Sequence, residues 1–189
     1  MGPAQYVRRV ESTIAKAPRV RFLQISPPGP YDHSTTLGLR HFLQVIQRAL
    51  SSLSKLSGLD LQSYQLIEMQ DVLSVVVGIP QLRAFRCSLL VSKLPTINPP
   101  LLPRLEVLSV CFSTLVGSEG GVQELEELKN WLRRWRMPCL TQFVSTGDPR
   151  RTNWSWILDL LEYNGAHLKV LNPDVSLRAI PLTAKPLTV

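Results

Sequence analysis

Nowhere in this chain of 189 residues do 18 apolar residues run together, so it has no membrane-spanning helix of ordinary length. Cysteine is scarce: Cys87, Cys111 and Cys139 are odd in number and widely spaced, with no CxxC. That excludes a disulfide framework and a zinc knuckle and leaves small buried hydrophobes. Histidine is as scarce. His33, in Tyr31-Asp32-His33-Ser34, follows the turn-forming Pro27-Pro28-Gly29-Pro30; His41 and His167 have no second ligand at metal spacing. The glycine-rich Gly117–Gly121 lacks the Gly-Lys-Ser/Thr of a phosphate loop and reads as a strand-to-helix connection. Neither a metal nor a cofactor is expected. The first ten residues lack the apolar stretch of a signal peptide, so the expected location is intracellular, cytoplasmic or nuclear.

Hydrophobic residues make up 44% and charged residues 19%, the balance of a folded domain rather than a disordered chain. A net charge of +7 favours an acidic partner. Arginines and tryptophans alternate in Trp131-Leu-Arg-Arg-Trp-Arg136, a composition that can stack on bases and hold phosphates. Leu128, Leu132 and Trp135 nevertheless share one helical face, which makes core packing the simpler reading and nucleic-acid binding the alternative.

One phrase recurs six times: often a proline, a spacer, an apolar residue, two spacers, an apolar residue, a spacer, and usually a further apolar residue. Pro80-Gln-Leu82-Arg-Ala-Phe85-Arg-Cys87 and Pro103-Arg-Leu105-Glu-Val-Leu108-Ser-Val110 are two copies. The central apolar residues are Leu23, Leu59, Phe85, Leu108, Phe143 and Leu171, at steps of 36, 26, 23, 35 and 28 residues. Alternate residues of a strand share a face, so Leu108 and Val110 enter a core together while Ser109 points to solvent. Proline before the phrase ends the preceding helix.

Between the phrases, apolar residues recur at helical spacing from about 4 to 17, 36 to 54, 65 to 77, 121 to 136 and 154 to 164. The prolines of 90–103 predict an extended connector instead. Strand and helix in alternation imply parallel strands joined by right-handed crossovers. A shared phrase favours stacking in sequence order, an irregular α/β solenoid with helices on its convex side, over a doubly wound enzyme-like sheet. The expected organisation is one repeat domain over 1–175, about six strand–helix units, and an extended tail over 176–189.

With Trp156-Ile-Leu-Asp-Leu-Leu-Glu-Tyr-Asn-Gly-Ala-His-Leu-Lys-Val-Leu171 and the Pro103–Val110 phrase, the chain resembles the leucine-rich-repeat region of F-box proteins, especially the divergent ones abundant in fungi. The likeness runs from about Val7 to Asn172. It implies a non-catalytic protein-binding module, the substrate-recognition part of a ubiquitin-ligase receptor. The Leu-Pro-x-Glu phrase of the F-box is absent, so a Skp-type adaptor is a partner only through an F-box outside this chain.

In such a solenoid the strands line a concave binding surface. The residues flanking the central positions would face it. The candidates are Phe22, Gln24, Asp60, Arg86, Val107, Ser109, Gln142, Val144, Val170 and Asn172, a mixed, weakly charged set suited to a protein partner.

Overall fold

The same short turn precedes every one of the six phrases. In each, a backbone N–H donates to the carbonyl three residues earlier: Val20 to Ala17, Leu56 to Leu53, Leu82 to Ile79, Leu105 to Leu102, Leu140 to Met137 and Leu168 to Gly165, at 2.9–3.2 Å. In four of them the second residue is proline (Pro18, Pro80, Pro103, Pro138), whose fixed φ suits that corner. Proline's principal role is therefore to shape this turn.

The computed structural model describes residues 3–25, 43–44, 47–61, 67–91, 94–114, 122–145 and 154–172. Seven strands form one parallel sheet: β1 (Phe22–Gln24), β2 (Gly58–Leu61), β3 (Ile67–Glu68), β4 (Ala84–Val91), β5 (Val107–Thr114), β6 (Gln142–Ser145) and β7 (Val170–Asn172). Six lie in sequence order, β1-β2-β4-β5-β6-β7, and β3 pairs with the far half of β4. The helices are α1 (Pro3–Lys16), α2 (Met69–Val77), α3 (Val122–Arg133) and α4 (Trp154–Asn164); residues 47–51 are also helical.

The six central apolar residues pair across the whole sheet, Leu23 with Leu59, then Phe85, Leu108, Phe143 and Leu171. The strands β2, β4, β5, β6 and β7 enter through the same contact. Two successive N–H groups share one carbonyl of the strand before: Ser57 and Gly58 on Arg21, Arg83 and Ala84 on Ser57, Glu106 and Val107 on Arg83, Thr141 and Gln142 on Glu106, Lys169 and Val170 on Thr141. On one side of the sheet Leu59, Phe85, Leu108 and Phe143 form a single core with Ile14 of α1, Leu50, Val72 and Val76 of α2, Leu128 and Leu132 of α3, and Ile157 and Leu160 of α4.

Three expectations are corrected. The helix over 65–77 begins only at Met69, because β4 runs on for eight residues and Ile67–Glu68 pair with Leu89–Leu90. The helix to 136 ends at Arg133. Pro138 disfavours helical backbone at Met137, and Arg136 instead pairs with Leu101 in an isolated parallel bridge. Leu90 and Val91 of the expected connector belong to β4, while 94–100 contain no helix. The helix over 36–54 lies largely outside the described residues. So do His33, His41, the 117–121 loop and the 176–189 tail.

Cys87 and Cys111 stand on opposite faces of adjacent strands, which is why they are not bridged. Burial, then the nearby Asp60 carboxylate, pushes the Cys87 thiol well above its ordinary range. Cys139 is exposed on its turn. Iodoacetamide at pH 8 should therefore modify Cys139 in the native protein and Cys87 only in denaturant, read by peptide mass spectrometry. Equal labelling of the two would contradict the packing around β4.

Candidate interaction face

The side of the sheet away from the core carries two rows of residues. The register sets Phe22, Gly58, Ala84, Val107, Gln142 and Val170 side by side in the first. It sets Gln24, Asp60, Arg86, Ser109, Val144 and Asn172 side by side in the second. All ten candidate residues therefore fall on one face, in adjacent rows.

The two rows differ in access. Gln24 faces solvent as expected, but Asp60 is only 3% exposed, Ser109 6% and Val144 1%. These are short side chains on interior strands, each with a paired strand on both sides. Arg86 also lies across Asp60, its guanidinium 3.6 Å from the carboxylate. The second row is closed at its centre. The first stays accessible except at Gly58, which is buried: Phe22 and Val170 at the sheet's two edges are each 41% exposed, and Ala84, Val107 and Gln142 between them are half-buried. Six strands at about 4.8 Å spacing give this row a length of about 24 Å.

Phe22 owes its place to Gly58. A Cβ on Gly58 would sit 2.6 Å from the Phe22 ring, so the ring occupies the space that the missing side chain leaves. Gly58→Ala should swing Phe22 outward at a cost of about 1 kcal/mol, since the ring is half exposed. Urea denaturation and the aromatic NMR shifts of Phe22 check this; an unmoved ring would contradict it.

No protein-family model matches this chain, and no curated protein does. A solved structure described as "Structure of Chaetomium Mex67:Mtr2 subunits" is similar to it at 14% identity and a TM-score of 0.38, covering 81% of this chain and 98% of that one.

The Trp131–Arg136 segment is built differently from a base-stacking platform. Trp131 and Trp135 are both buried, edge to face with ring centres 5.7 Å apart, and the Trp131 indole donates to the Ile97 carbonyl at 3.0 Å. Arg133 is held by Asp159 at 2.7 Å, which raises its pKa further. Arg136 donates to the Arg133 and Trp135 carbonyls and lies 5.9 Å from the centre of the Tyr163 ring. Among the described residues no three His, Cys, Asp or Glu side chains group to hold a metal ion, and no helix is long and apolar enough to cross a membrane.

Sequence reasoning placed both rows but missed their difference in depth. It also missed Leu101, an exposed apolar side chain whose backbone pairs with that of Arg136. Leu101 sits in the proline-rich connector, where no periodicity marks it.

Proposed function

We propose that the chain is a non-catalytic protein-interaction module, an irregular leucine-rich-repeat-like solenoid that binds another protein along the row from Phe22 to Val170. One observation carries this reading: a mostly apolar row crosses six strands in register, opposite the core, and is accessible on all of them but β2, where Gly58 is buried. Apolar side chains flanked by Gln24 and Arg86 have the composition of a protein contact. Sequential strand order supports binding over catalysis, since it offers none of the switch points at which doubly wound enzymes form their crevices. The resemblance to F-box receptors makes substrate recognition for a ubiquitin ligase the specific assignment. Docking to the Skp-type adaptor is then the task of an F-box outside these residues.

A photo-crosslinking residue at Gln142 should capture a discrete partner in cells, and capture should fall at least fivefold when Val107→Asp is added. The same residue at Leu158, exposed on α4, should not capture it. Capture at Leu158 alone would move the interface to the helices and overturn the proposal.

A further inference from the structure

The six turns and strand entries stack side by side, so any residue type that recurs in them builds a continuous edge. The third turn position is Arg19, Lys55, Gln81, Arg104, Cys139 and His167 in successive copies. The carbonyl-sharing position two residues later is Arg21, Ser57, Arg83, Glu106, Thr141 and Lys169. These twelve positions hold six lysines and arginines against one carboxylate, a net charge of +5 in a chain whose total is +7. All six cations are exposed. The one carboxylate, Glu106, is taken up by Arg83 through Nε at 2.8 Å and Nη2 at 2.6 Å. Among the described residues Arg19, Arg21, Lys55, Arg104 and Lys169 are in no ion pair.

We propose that this turn edge, separate from the sheet face, binds an extended acidic segment of a partner protein. The cations concentrate in the first four copies, from Arg19 to Arg104. Three strand spacings there cover about 14 Å, the length of about four extended residues. Like-charged side chains held this close repel one another and are relieved by a row of carboxylates. The Arg83–Glu106 contact already shows one carboxylate seated on the edge by a single guanidinium, with both bonds falling on its Oε1. No Phe, Tyr or Trp occupies any of the twelve positions, so the edge lacks the large aromatic platforms on which successive bases stack. That absence favours a peptide over single-stranded nucleic acid.

Fluorescence anisotropy tests the proposal with a labelled octapeptide of alternating Glu and Ser, its Gln-for-Glu counterpart, and an eight-nucleotide oligothymidylate. The Glu peptide should bind at low salt, weaken as salt rises, and bind at least tenfold more tightly than the Gln peptide. Arg19→Glu/Lys55→Glu/Arg104→Glu should lower its affinity at least tenfold. Arg8→Glu/Arg9→Glu/Lys16→Glu, an equal charge change on exposed residues of α1, should lower it less than threefold. If the first triple variant does not fold, Arg19→Gln/Lys55→Gln/Arg104→Gln against Arg8→Gln/Arg9→Gln/Lys16→Gln gives the same contrast. Equal losses in the edge and α1 variants would overturn the proposal, because net charge alone would then explain binding. Tighter binding of the oligonucleotide, lost in the edge variant, would also overturn it and make the edge a nucleic-acid surface.

Discussion

Asn164→Ala should destabilise the protein by about 2–3 kcal/mol, although the residue lies outside the repeated apolar phrase. Asn164 is buried at the end of α4. Its Oδ1 accepts the Met137 N–H at 2.7 Å, and its Nδ2 donates to the Leu160 and Trp135 carbonyls at 2.8 and 3.2 Å. The need for it arises one copy earlier. In three other copies the first N–H of the turn bonds back into the chain just before it: Ala17 to Ile14, Leu53 to Leu50 and Ile79 to Val76. After α3 the chain swings away so that Arg136 can pair with Pro100 and Leu102, and the Met137 N–H is left facing the next copy. A side chain from α4 must meet it. Removing that side chain strands a buried donor, which costs about 1–3 kcal/mol, and leaves a small void besides.

Asn164→Asp separates the bond from the volume. Aspartate can still accept from Met137, but it turns an oxygen toward two carbonyls in a buried site. Its folded-state pKa should be raised above the unfolded value. The neutral acid is then the better-tolerated form, so the loss relative to wild type should be smaller at pH 4 and grow as pH rises past the unfolded pKa. Urea denaturation at pH 4 and at neutral pH reads the difference, and amide exchange at Met137 should accelerate in Asn164→Ala. A loss under about 0.5 kcal/mol with unchanged exchange would show that water replaces the amide.

The strand register was legible from the sequence because it had no freedom. A slip of one residue would turn Leu59, Phe85, Leu108 and Phe143 out of the core at once. Turn geometry was not legible in the same way. Proline both stops helices and forms turn corners, and spacing alone does not separate the two roles. Only the matching bonds at Leu53–Leu56 and Gly165–Leu168, where the second residue is Ser54 or Ala166, show that the turn persists without proline. The burial of Asp60, Ser109 and Val144 was illegible for another reason. Alternation says which face a residue takes, not how deep that face lies. The role of Asn164 depends on where a neighbouring segment leaves its helix, a tertiary fact that local pattern does not contain.

Along the central row itself, equal chemistry should give unequal losses. Phe143→Ala should cost about 4 kcal/mol and Leu108→Ala about 3 kcal/mol, the ordinary range for large side chains removed from a closed core. Both residues are fully buried and have paired strands on either side. Leu171→Ala, in the same register position on β7, should cost less than about 1 kcal/mol, because Leu171 is 51% exposed. The contrast follows from the topology. At the central register position each of the six strands pairs only with its neighbours in the row, so an interior position is covered from both sides and the terminal position from one. Interior losses should also spread, since a void at Phe143 touches the packing of both neighbouring strands, whereas a change at Leu171 stays at the edge. Urea denaturation of the three variants at constant m-value measures this. Were Leu171→Ala to cost as much as Phe143→Ala, the β7 edge would have to be covered in solution, and the exposed row would end short of Val170.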